Sequence, residues 1–122
     1  MSTRILIADD HAIVRSGLTE LVNSADDLVL VGQAGDGKEA VALAAELTPD
    51  VVLMDLAMPE LDGISATRAI LDDHPGIQIV ALTSFSDRER ILAALEAGAI
   101  GYLLKDATPD EILSGIRSAA RG

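Results

Sequence analysis

The chain has 122 residues, enough for one ordinary domain and too few for two well-cored ones. Hydrophobic residues make up 49% and charged residues 24%, a globular composition that excludes disordered and fibrous classes. Nine Lys and Arg against twenty Asp and Glu leave a net charge of −11, which repels phosphate backbones and anionic lipid, and the lack of cysteine removes disulfides, thiolate metal sites and cysteine nucleophiles.

The N-terminus turns acidic after a few apolar residues, unlike a signal peptide, and no apolar run is long enough to span a bilayer. A cytoplasmic protein without membrane contact is the expectation. Short apolar runs then recur: Ile5–Ala8, Leu28–Val31, Val51–Met54, Ile79–Leu82 and Tyr102–Leu104. Three are nearly continuous in hydrophobicity, as in parallel strands covered on both faces. Between them lie segments with helical spacing. Ile13, Leu18, Leu21 and Val22 mark the first, and Ala40, Val41, Ala44 and Leu47 the second. Ile64, Thr67, Ile70 and Leu71 mark the third, Ile91, Leu92 and Leu95 the fourth, and Ile112, Leu113 and Ile116 the last.

Cap signals agree with these boundaries. Ser86-Asp-Arg-Glu89 and Thr108-Pro-Asp-Glu111 read as capping boxes, Gly98 stands at a helix end, and His74-Pro75-Gly76 breaks the third helix. Strand and helix alternate five times, which predicts an α/β doubly wound sheet. The only aromatics, Phe85 and Tyr102, leave the core to Ala, Val, Ile and Leu.

Ligands of such a sheet gather beyond the carboxyl ends of its strands. Asp9 and Asp10 follow the first run, Asp55 the third, Thr83 and Ser84 the fourth, and Lys105 the fifth. A lone Asp there reads as a helix cap. Three together are different, because carboxylates about 4 Å apart repel by roughly 4 kcal/mol at an effective dielectric of 20. One ammonium does not neutralise three acids, and an all-oxygen set selects a hard divalent ion, Mg²⁺.

Asp9-Asp10-His11, Met54-Asp-Leu-Ala-Met-Pro-Glu-Leu-Asp-Gly63, Thr83-Ser84 and Tyr102-Leu-Leu-Lys105-Asp106 resemble, in order and spacing over essentially the whole chain, the receiver domain of two-component response regulators. The first and last motifs are similar to the NarL/FixJ (LuxR-type) branch, whose members carry a helix-turn-helix DNA-binding domain. The resemblance implies a flavodoxin-like five-stranded parallel sheet of order 2-1-3-4-5 with helices on both faces. It implies that residues 1–122 are a receiver forming the N-terminal part of a longer protein. Asp55 would accept a phosphoryl group from a sensor histidine kinase. Asp10, Asp55 and the Ala57 backbone carbonyl would bind Mg²⁺, with Asp9 acting through water. Lys105 and Thr83 would stabilise the phosphoryl group, and Tyr102 would turn inward as part of the switch. A phosphorylation-linked homodimer and DNA control through the downstream domain would follow, with no enzymatic turnover beyond the domain's own phosphotransfer and slow autodephosphorylation.

Two departures stand out. Ala57 offers a metal only its backbone, and Asp106 replaces the proline that many receivers have after the lysine, leaving the 105–106 peptide geometry open. Pro59 and Gly63 shape the loop after Asp55, and Asp62 caps the helix that follows. Gly32-Gln-Ala-Gly-Asp-Gly37-Lys38 imitates a phosphate-cradling loop, but Glu39 stands where Ser or Thr must bind Mg²⁺; Asp36 reads instead as a cap. His11 has no second histidine at ligand spacing and reads as a solvent-facing residue. An aspartyl-phosphate phosphatase would need an acid two residues after its nucleophile, where this chain has Ala57. A flavin or nucleotide module would not put Asp9 and Asp10 in its first turn. A degenerate receiver serving as a dimerisation scaffold would not keep every acceptor, metal and relay position.

Overall fold

A computed structural model describes residues 2–84 and 88–122. Ten elements alternate along the chain: β1 (Thr3–Ala8), α1 (Ala12–Asn23), β2 (Leu28–Ala34), α2 (Gly37–Leu47), β3 (Val51–Asp55), α3 (Gly63–Asp73), β4 (Gln78–Thr83), α4 (Arg88–Ala97), β5 (Gly101–Leu104) and α5 (Pro109–Arg121). The strands form one parallel sheet in the order β2-β1-β3-β4-β5, the flavodoxin-like arrangement expected.

Strand parity divides the core. Leu6, Ala8, Val52, Met54, Ile79 and Ala81 face α2, α3 and α4, where Ala40, Ala44, Ala66, Ile70 and Ala94 meet them. Ile5, Ile7, Val51, Leu53, Val80 and Leu82 face α1 and α5 through Leu18, Val22, Ile112 and Ile116. Central strands buried on both faces read as continuous apolar runs for this reason. Small alanines let α2, α3 and α4 sit close to the sheet, so the core needs no aromatic.

The caps are those expected. Asp36 accepts the Glu39 N–H at 2.8 Å, and Asp62 accepts the Ser65 N–H at 2.8 Å. Thr108 and Glu111 form a complete capping box with Pro109 in the first turn. Gly98 ends α4 with φ +117, a conformation that disfavours any side chain. The other box, beginning at Ser86, and Phe85 lie outside the described residues.

Three expectations need correction. β2 runs on to Ala34, three residues past Val31, so half of the false phosphate loop is strand. Gly32 permits this: a Cβ there would stand 2.8 Å from the Leu47 side chain, where α2 crosses the strand. Ile13 is not on the buried stripe of α1 but 88% exposed; Val14 takes its place against the core. α4 buries only Ala94 and leaves Leu92 and Leu95 largely exposed, because it touches the sheet through its smallest residue. No cis peptide occurs among the described residues, so the 105–106 bond is trans. No helix among them is long and apolar enough to cross a membrane.

Candidate functional site

The central strands end together, and the chemistry stands at that edge. Ala8 pairs in register with Met54, Asp55 with Leu82, and Thr83 with Leu104. The next residue after β1 is Asp9, and the next after β5 is Lys105, so sheet register alone brings these groups to one shelf. Asp9, Asp55 and Thr83 are buried there, whereas Asp10 stands at the rim. Arg15, one turn into α1, donates to the Asp9 carbonyl at 2.8 Å, and the Asp9 N–H bonds the Ala34 carbonyl at 3.0 Å, pinning the acidic loop from both sides.

The Lys105 ammonium lies 3.2 Å from Asp9 Oδ2 and 3.1 Å from Asp55 Oδ2. Those two oxygens are buried and find no other hydrogen-bond partner among the described residues, so this ammonium compensates them. Asp55 Oδ1 accepts the Ala57 N–H at 3.2 Å. Burial, and secondly the charge on Asp9, push the Asp55 carboxyl up to about 6 from the ordinary 3.8, against the pull of Ala57 and Lys105. Burial opposes the charge on Lys105, but the Asp55 and Asp9 carboxylates more than offset it and hold the ammonium above its usual range.

His11 is exposed at the start of α1, as expected, and adds a contact with the acids that spacing does not show. Its ring is half-exposed, yet Nδ1 stands 2.9 Å from Asp9 Oδ1, 3.2 Å from Asp10 Oδ1 and 3.9 Å from Asp55 Oδ2. The His11 N–H also donates to Asp9 Oδ1 at 2.8 Å, so the residue is exposed as expected while its Nδ1 edge meets the acids. One ligating atom each from Asp9, Asp10, His11 and Asp55 lies within 4.8 Å of the others. Neither this contact nor the Arg15 anchor is apparent from spacing alone, although Arg15 follows His11 at helical distance.

The remaining predicted residues are more peripheral. Among the described residues the Thr83 hydroxyl makes a long 3.4 Å contact with the Ser84 carbonyl. Ala57 is exposed on the β3–α3 loop. Tyr102 is half-exposed and lines a groove with Arg88, Ile91, Leu92, Leu95 and Leu104, away from the acids. Gly63 holds the loop close: a Cβ would stand 2.1 Å from the Asp55 carbonyl oxygen. Gly63→Ala is therefore expected to destabilise the domain by about 1–3 kcal/mol in urea unfolding, and a change under roughly 0.5 kcal/mol would show that the loop is not held this tightly.

Sequence and fold comparisons agree with this geometry. Residues 5–117 match the model of the response regulator receiver domain. The chain is 45% identical over 119 residues to the transcriptional regulatory protein LiaR of Bacillus subtilis, covering 98% of this chain and 56% of LiaR. It is 40% identical over 122 residues to the response regulator VraR of Staphylococcus aureus, covering 100% of this chain and 58% of VraR. The chain thus spans little more than half the length of these relatives. Among solved structures, a LuxR-family two-component response regulator from Aurantimonas is similar with a TM-score of 0.93 and 38% identity, covering 100% of this chain and 87% of that one. The signal receiver domain of NarL from Mycobacterium tuberculosis gives a TM-score of 0.93 and 30% identity, covering 99% and 98%. With fold, acid cluster and sequence in agreement, the chain belongs to the response regulator receiver family, as a receiver domain of the NarL/LuxR type of two-component regulator.

Proposed function

We propose that Asp55 is the phosphoacceptor of a signalling switch fed by a sensor histidine kinase. The observation that carries this reading is the Asp55 carboxylate itself: buried at the end of a central strand, it pairs one oxygen with the Lys105 ammonium at 3.1 Å and has no other hydrogen-bond partner for it among the described residues. That oxygen attacks the phosphorus of a phosphohistidine. The P–N bond breaks, its electron pair stays on the imidazole, and an acyl phosphate forms on Asp55. The donor set fits a hard divalent cation, since three carboxylates face one ammonium, which two buried oxygens share with no other hydrogen-bond partner among the described residues. Asp10, Asp55 and the Ala57 carbonyl would hold Mg²⁺, with Asp9 acting through water, and the ion would neutralise phosphoryl oxygens. Lys105 would remain the fixed cation beside Asp55 Oδ2, and the Thr83 hydroxyl would donate to the new phosphoryl group. Ala57 has no side-chain acid or base, so the domain performs only its own phosphotransfer and slow autodephosphorylation.

Mass spectrometry after incubation with a small phosphodonor and Mg²⁺ tests the assignment. A single phosphoryl adduct, labile to base and lost with chelator or in Asp55→Asn, is expected. An adduct on any other residue, or one indifferent to chelator, defeats it. Metal affinity should be weak, because the ligands are few, the rim is open and Mg²⁺ dehydrates reluctantly.

Phosphorylation adds about one negative charge and several acceptor oxygens. Thr83 and Lys105 end the last two strands, so a pull on them moves the face of α4, β5 and α5, where Tyr102 turns inward. Driving a two-state equilibrium from 1:99 to 99:1 requires about 5.5 kcal/mol, so a partial shift is expected. It would be read as homodimerisation and release of a downstream DNA-binding domain, in the cytoplasm. Amide hydrogen exchange should change across residues 84–106 when phosphodonor is added. Changes confined to α1 would place the output on the first and fifth helices instead.

A further inference from the structure

We propose that His11 Nδ1 is a fourth donor of the acidic site, giving it a nitrogen ligand and a preference for transition-metal dications such as Co²⁺ and Mn²⁺ over Mg²⁺. The inference rests on the reading of Asp10 and Asp55 as metal ligands and extends it to a residue outside that set.

The backbone directs the ring. The His11 N–H is held by Asp9 Oδ1 at 2.8 Å, at the start of α1, where His11 occupies the N-cap position without capping through its side chain. A cap residue that makes no cap bond is free to point elsewhere. Here the ring spans the acids, with Nδ1 at 2.9 Å from Asp9 Oδ1 and 3.2 Å from Asp10 Oδ1. Two cis ligands of an octahedral ion with bonds of about 2.1 Å stand about 3 Å apart, so the 3.2 Å between Nδ1 and Asp10 Oδ1 suits two ligands of one ion, with Asp9 beside them as the water-linked acid. The buried Asp55 Oδ2 lies 3.9 Å from Nδ1, and apart from the Lys105 ammonium it has no hydrogen-bond partner among the described residues. Lys105 Nζ, at 3.3 Å from Nδ1, closes the site on the side of Asp55.

Chemistry then separates the ions. Mg²⁺ takes oxygen donors and gains little from imidazole, whereas affinity rises from Mn²⁺ to Co²⁺ and beyond when nitrogen is available. His11 would therefore leave Mg²⁺ binding nearly unchanged and strengthen binding of the later dications.

The test uses the untagged chain. Isothermal titration is run with Mg²⁺ and Co²⁺ on wild type, His11→Ala and His74→Ala, and electron spin-echo spectra are recorded with Mn²⁺. The wild-type Mn²⁺ spectrum should carry ¹⁴N modulation that His11→Ala abolishes and His74→Ala retains. His11→Ala should lower Co²⁺ affinity by about tenfold or more while moving Mg²⁺ less than about twofold. Absence of nitrogen modulation in wild type overturns the proposal without recourse to a variant. So does Co²⁺ affinity that His11→Ala leaves unmoved, or a rise in affinity for both ions, which would make the ring a competitor for the space. If none of these ions binds the wild type, the metal-dependent reading of the acids fails too; if they bind without any contribution from His11, only this inference fails.

Discussion

Asp55→Asn is expected to make the domain more stable at pH 7 and to leave its stability at pH 3–4 nearly unchanged. The Asp55 carboxyl sits at about 6 in the folded chain against an ordinary 3.8. Between those values the native state holds a proton that the unfolded chain has released, so the contribution of this group falls as pH rises through the window and is constant above it. Asparagine does not titrate, and it keeps the shape and an oxygen for the Ala57 N–H. A shift of this size corresponds to roughly 3 kcal/mol at full strength, and solvent at the open mouth reduces the expected gain to about 1–2 kcal/mol. Urea unfolding of both proteins at pH 4 and pH 7 measures it. A variant that gains equally at both pH values would show that something other than the buried charge is relieved. By the same reasoning Asp10→Ala, at the exposed rim, should change stability little while weakening metal binding. The repulsion within the cluster lies between Asp9 and Asp55, since Asp9 is the charge that raises Asp55.

Burial on both faces decides which parts of the molecule are legible from residues alone. Val51–Met54 and Ile79–Leu82 are legible as strands because both their faces are covered, and a ligand edge follows from where such strands stop. Asp9, Asp55, Thr83 and Lys105 meet there through parallel register, a consequence of topology that needs no knowledge of side-chain direction. What depends on direction was less accessible. Ile13 and Leu92 are apolar at helical spacing yet face outward, because periodicity marks a stripe without saying which neighbour covers it. The His11 ring could lie wholly in solvent or against the acids with the same backbone, and it is the contacts of Nδ1 with Asp9 Oδ1 and Asp10 Oδ1 that hold its edge against them. The continuation of β2 through Gly32 depends on α2 crossing overhead, a long-range contact invisible in a local window.

Lys105→Met should be the most damaging single change at this edge, and its damage should depend on pH. The ammonium is mostly buried, 18% exposed, and it is the cation closest to both buried carboxylates. Breaking a buried pair costs about 3–5 kcal/mol when the partner charge stays uncompensated, and partial access of solvent here brings the expected loss to about 2–3 kcal/mol at pH 8. The lysine is held above its ordinary 10.5, so across pH 5–8 it is fully charged in both folded and unfolded chains and contributes no slope. The slope must come from the carboxylates. Without the ammonium, Asp55 rises beyond its present value of about 6, and protonation then removes the bare charge. The loss should therefore shrink as pH falls from 8 to 5. Asp55→Asn combined with Lys105→Met should recover most of it at pH 8, because one buried carboxylate remains where two had faced each other, and double-mutant coupling of at least about 1 kcal/mol is expected. Losses that are equal at pH 5 and pH 8, together with strict additivity, would mean that Lys105 supports the fold through its packed methylene stem and not through its charge.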